Sequence, residues 1–149
     1  MVYRTFTDSP LEARAEGRFN RQGEGLTTYL SLTPETADRE VVKRWGTVDP
    51  NLGAYVAFQV PVELHRVVDL TDPDAATDLG VSREVLVGAD LMPCQTLARR
   101  LRTAGIEGLL TWSSADCEGK NLVVFLDRLD PASSVGPATA LGTPGGAGG

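Results

Sequence analysis

The sequence predicts an α+β fold, a compact mixed sheet with a few helices. Three observations lead to it. Short β-branched or aromatic runs recur along the 149 residues. Only two segments combine a helical apolar period with start and stop signals. Strands and helices do not alternate as they would in a doubly wound array.

The first element, residues 2–6, alternates and ends at Asp8-Ser9-Pro10, which makes it a short strand. Residues 12–25 are polar and carry several glycines, and read as irregular loop around a brief helix. Residues 27–32 are β-branched and aromatic and form a strand. A helix then starts with Thr33 at the N-cap, Pro34 at the first helical position and Glu35 in the first turn, and stops at Gly46. Ala37, Val41 and Trp45 form its buried stripe. Strands follow over 54–62 and 65–70, then a turn at Asp72-Pro73-Asp74 and a weakly patterned stretch to Asp90. The second helix covers 93–104 and ends at Gly105; Cys94, Leu97, Ala98, Leu101 and Ala104 face inward, leaving Arg99, Arg100 and Arg102 on its outer face. The last strands are 108–112 and 121–126, joined by the polar loop 113–120. From Pro131 to Gly149 there are six Gly, three Pro and no charge, so this tail is expected to be disordered, leaving residues 1–130 as the folded domain.

Fourteen Lys and Arg against 20 Asp and Glu give a net charge of −6, the wrong sign for a general nucleic-acid binder. Two cysteines are too few for a disulfide scaffold, and His65 is the single histidine, so neither a structural zinc site nor a Ser-His-Asp triad is expected. There is no dinucleotide-binding glycine fingerprint and no Walker loop. No apolar run approaches a membrane span, and the start lacks a signal-peptide core, which points to a cytoplasmic protein.

Polar chemistry in excess of packing needs gathers in three places: Gly17-Arg18-Phe19-Asn20, Tyr29 with Ser31 and Glu40, and Trp112-Ser113-Ser114 before the last strand. Each residue also has a plainer reading. Glu40 stands four residues before Arg44, the favoured orientation for a surface ion pair. Arg18 reads equally as a solvated loop residue, Tyr29 as sheet packing, and Ser113 as a strand-end turn residue. Cys94 reads as inert core and Cys117 as exposed loop.

The order of these segments resembles the RES-domain family, named for its Arg, Glu and Ser. Tyr3-Arg4 matches its opening strand, Glu16-Gly17-Arg18-Phe19-Asn20 its Gly-Gly-Arg-Trp-Asn loop, and Tyr29 with 33–41 its Ser/Thr-Pro-x-x-Ala-x-x-Glu-Val helix start. Residues 108–113 match its Gly-Leu/Ile-x-x-Pro-Ser turn, and 121–125 its Asn-Leu-Val-Val-Phe strand. Glu16, Phe19 and Trp112 depart from the pattern. The resemblance implies an ADP-ribosyltransferase-like fold over residues 1–130 and a toxin that destroys NAD+, taken as substrate, with no cofactor and no metal. It implies Arg18, Glu40 and Ser113 as catalytic residues, with Ser114 as the alternative serine, and Arg4, Tyr29 and Asn20 as substrate-binding residues. It further implies a helix-turn-helix antitoxin partner and pairing as a homodimer. The acceptor is left open among water, phosphate and protein. A transferase with one protein target and a non-enzymatic interaction domain are the alternatives.

Overall fold

The structure is a computed structural model that describes residues 1–8, 16–45 and 57–141. Eight strands form one sheet: β1 (Val2–Thr7), β2 (Thr27–Ser31), β3 (Phe58–Glu63), β4 (Val67–Asp69), β5 (Gly108–Trp112), β6 (Lys120–Phe125), β7 (Ser134–Val135) and β8 (Thr139–Ala140). Four helices join them: α1 (Pro34–Trp45), α2 (Pro73–Asp78), α3 (Arg83–Val87) and α4 (Met92–Thr103). The strand order is β4-β5-β6-β2-β1-β3-β7, with β8 also on β3. All pairs are antiparallel except β4–β5, whose parallel register needs the long crossover that α2, α3 and α4 supply. The α+β class and mixed sheet expected from the sequence are what the chain forms.

Strands β2, β4, β5 and β6 face two cores because successive side chains alternate. On one face Leu109, Val123 and Phe125 pack with Leu70, Leu86 and the α4 residues Cys94, Leu97, Ala98 and Leu101. On the other, Leu30, Val60, Val62, Leu122 and Val124 are covered in part by Leu126, Leu129, Val135 and Ala138.

The two helices read from the sequence carry the caps that predicted them. The Thr36 N–H donates to Thr33 Oγ1 at 3.1 Å, closing the first turn of α1. At the end of α4, Gly105 takes φ +82° while Gly105 N and Ile106 N donate to Arg102 O and Leu101 O, the paired bonds of a Schellman stop.

Several expectations need correction. The stretch after Asp72 is two short helices, each opened by a side-chain cap: Asp72 accepts from Asp74 N and Ser82 from Val85 N. The disorder expected from Pro131 does not hold to residue 141, because β7 and β8 pair with β3 and Val135 and Ala138 seal the second core. Pro61 falls in the gap between those two short strands, where the ladder is already interrupted. Arg102 is not on an outer face: it is 6% exposed, donates to Asp127 Oδ1 at 2.5 Å and lies over the Phe125 ring. Its stem runs along the edge of the apolar stripe while its head reaches a carboxylate. The loop expected over 12–25 with a brief helix in it is irregular and without a helix over its described part, 16–25. Strand β3 is described from Phe58; residues 54–56, the Asp8-Ser9-Pro10 stop beyond Asp8, residues 12–15, the Gly46 stop, the Arg44 and Trp45 side chains and residues 142–149 lie outside what is described. No helix among the described residues is long and apolar enough to cross a membrane.

Candidate active site

Four adjacent strands, β5, β6, β2 and β1, make the floor. The register sets Ser31 beside Phe6 on one side and Asn121 on the other, and Tyr29 beside Val123. Asn121 in turn sits beside Thr111 of β5. Alternation sends all of these to the same face. Helix α1 leaves β2 directly and lies along the floor, so that Ala37, Glu40 and Lys43, three residues apart, face it. The loop carrying Glu16 to Phe19 and the residue Leu91 close the far side, leaving a cavity of about 380 Å³. Of the residues singled out from the sequence, Arg18, Tyr29 and Glu40 line it together, with Ser31 and the alternative serine Ser114.

Glu40 is anchored through one oxygen. Ser113 Oγ donates to Glu40 Oε1 at 2.5 Å, and Asn121 Nδ2 donates to the same atom at 3.1 Å. Among the described residues nothing donates to Oε2, so one carboxylate oxygen is held and the other is available to the cavity. Ser113 itself is 2% exposed and lies behind Glu40, not on the cavity wall. Its hydroxyl oxygen accepts the N–H groups of Ala115 and Asp116, both at 3.1 Å, which fixes the turn after β5 and aims the proton at Glu40. The choice between the two serines is thereby made for Glu40's partner. Ser114 Oγ instead accepts from Lys43 Nζ at 2.7 Å at the cavity rim.

The turn that carries Ser113 is tied down at several points. Thr36 Oγ1 donates to Asp116 Oδ2 at 2.9 Å, and the Arg83 guanidinium donates to the Cys117 carbonyl while stacking 3.8 Å from the centre of the Trp112 ring. Gly119 has no room for a side chain, since a Cβ there would stand 2.4 Å from Thr36 Oγ1.

Tyr29 organises the opposite wall. Its hydroxyl donates to Asn20 Oδ1 at 2.5 Å and accepts from Phe19 N at 2.9 Å. Gly17 lets the loop lie directly on the ring; a Cβ there would come within 2.6 Å of the Tyr29 oxygen. Asn20, 2% exposed, does not line the cavity and bears on it through the Tyr29 hydroxyl. Arg18 is half-buried and lines the cavity, with Nη1 donating to the Gly88 carbonyl at 2.7 Å and its guanidinium also reaching the Cys94 thiol. Below it the Cys94 thiol is pushed up by burial, against the pull of Arg18, as suits a core cysteine.

Arg4 is the one sequence-predicted residue that the fold sets apart. It is exposed, two residues before Phe6 on the same sheet face, and outside the cavity lining. Three residues were missed. Lys43 stands three positions after Glu40 on the same helix face, a spacing that would have found it. Asn121 lies opposite Ser31, which becomes visible only once β2 and β6 are paired. Gln95, a buried amide inside the apolar stripe of α4, donates to the Gly17 carbonyl at 2.9 Å and holds the loop. A polar residue in such a stripe is a signal that periodicity alone could have raised.

A family model described as the RES domain matches residues 2–141. No curated protein matches the chain. Among solved structures, a chain of the M. tuberculosis MbcT–MbcA toxin–antitoxin complex is similar, with a TM-score of 0.72 and 19% identity over 95% of this chain and 85% of that one. At that identity the likeness is one of fold.

Proposed function

The chain belongs to the RES-domain family, and from that premise we propose that it is the toxin of a toxin–antitoxin pair and cleaves the nicotinamide–ribose bond of NAD+. The observation that supports this most is the convergence of Arg18, Tyr29 and Glu40 on one cavity, with Glu40 held through a single oxygen.

Breaking the bond to nicotinamide builds positive, oxocarbenium-like charge on the ribose. A fixed carboxylate beside that carbon stabilises the charge as it develops, and in a partly enclosed site it does so more strongly than in water. Glu40 Oε2 is the atom for this role. The hydrogen bonds to Oε1 keep the carboxylate from turning away, so Ser113 is a positioning residue that never touches the ribose. Arg18 supplies a planar fork suited to the pyrophosphate, and the bond to Gly88 fixes its direction. The Tyr29 hydroxyl is already spent on Asn20 and Phe19, so what it offers substrate is its ring face, against the nicotinamide. No step calls for a metal. The solved toxin–antitoxin complex supports a protein antitoxin as partner, and an enzyme that consumes NAD+ without other control requires one.

Mass-spectrometric analysis of NAD+ incubated with the pure protein, with and without inorganic phosphate, tests the reading. Free nicotinamide is expected, and the ribose product names the acceptor. Intact NAD+ after incubation with folded, antitoxin-free protein would refute it.

A further inference from the structure

Asn121 and Ser31 form a second support for Glu40 that is built across the sheet, not within the serine turn. Ser31 Oγ donates to Asn121 Oδ1 at 2.9 Å, and Asn121 Nδ2 donates to Glu40 Oε1 at 3.1 Å. The direction of this relay is forced. An amide turned the other way would set its oxygen against the Glu40 carboxylate and its NH2 against the Ser31 hydroxyl, trading an attraction for a repulsion. Ser31 is 5% exposed and sits on β2, and Asn121 is its register partner on β6, so the two are placed by the backbone ladder itself. Ser113 approaches the same oxygen from the strand exit. Glu40 is therefore gripped from two independent elements, and both leave Oε2 alone.

We infer that Asn121, oriented by Ser31, is a positioning residue that fixes which Glu40 oxygen meets the substrate, so that its loss lowers turnover without weakening substrate binding. This rests on the NAD+-cleaving reading above. A misplacement of about 1 Å in a reacting group costs roughly 100-fold in rate. Asn121→Leu, close in volume but without a donor, is expected to lower kcat about that much, with the KM for NAD+ within about twofold of wild type. Ser31→Ala removes only the hydroxyl that orients the amide, and one hydrogen bond corresponds to a loss of about tenfold in kcat.

Steady-state kinetics of both variants, with melting temperatures as the folding control, test the relay. A fall in kcat at constant KM supports it. A raised KM at constant kcat would make Asn121 a direct substrate contact and overturn it, as would unchanged kinetics. If Asn121→Leu does not fold, Ser31→Ala provides the same test on its own. A readout apart from turnover is the Asn121 side-chain amide signal in nitrogen-15 NMR, which should shift on Glu40→Gln; a signal that stays put would overturn the relay. Wild-type protein that leaves NAD+ intact would refute the proposed function while the NMR result still judges the geometry.

Discussion

Glu107 offers the sharpest test of the fold behind the site. It sits where β4, β5 and the C-terminal segment meet, and it is 1% exposed. Oε1 accepts the N–H groups of His65 and Arg66, both at 2.8 Å, and Oε2 accepts that of Asp130 at 2.8 Å. Burial works against the charged form, but the Ser133 hydroxyl and these three N–H groups outweigh it and hold the carboxyl at about 2, against an ordinary 4.5. At 1.36 kcal/mol per unit, that difference corresponds to about 3 kcal/mol of stability. Because the folded value is the lower one, the contribution is complete above pH 4.5 and is lost as pH falls through about 2. Glu107→Gln places an NH2 group against the Asp130 N–H donor and removes the charge that the others favour, so at pH 7 it should lose about 3 kcal/mol. Urea unfolding of both proteins from pH 7 down to acid is the assay. The gap between the two curves should be widest at neutral pH and close as wild type is protonated. Parallel curves, or a variant as stable as wild type at pH 7, would refute the reasoning.

Two further outcomes follow from the geometry. Gly17→Ala drives a methyl within 2.6 Å of the Tyr29 oxygen, so the ring or the loop must move; the KM for NAD+ should rise while the melting temperature falls by only a few degrees, and unchanged kinetics would count against the role given to Tyr29. Truncation after Asp130 strips β7, β8 and the cover supplied by Val135 and Ala138, and should cost about 2 kcal/mol or more by urea unfolding, whereas removing only 142–149 should leave those contacts intact.

What could be read in the sequence was what local chemistry decides. The Thr33-Pro34 start of α1, the Gly105 stop of α4 and the pairing segments of β5 and β6 are each carried by residues adjacent in the chain. What could not be read depends on partners far away. Val135 and Ala138 look like linker residues until β3 is beside them, and composition cannot register that two short strands will be paired. Arg102 looks solvated until Asp127 and Phe125 are brought to it. The same holds at the site. Arg18, Tyr29 and Glu40 were legible from residue type and order, and they do share a cavity. Their division of labour was not: Asn20 and Ser113 work from behind the wall, Arg4 stands outside it, and Asn121 gains its meaning only from its register opposite Ser31.

Everything proposed for the site turns on Glu40 stabilising charge on the ribose of NAD+. Comparing NAD+ consumption by wild type and Glu40→Ala, at matched melting temperature, tests this most directly. The residue is half-buried at the edge of α1, so the variant should fold. Loss of a preorganised charge at the reacting centre predicts a fall in kcat of about 100- to 1,000-fold. Turnover at the wild-type rate in the folded variant would contradict that role.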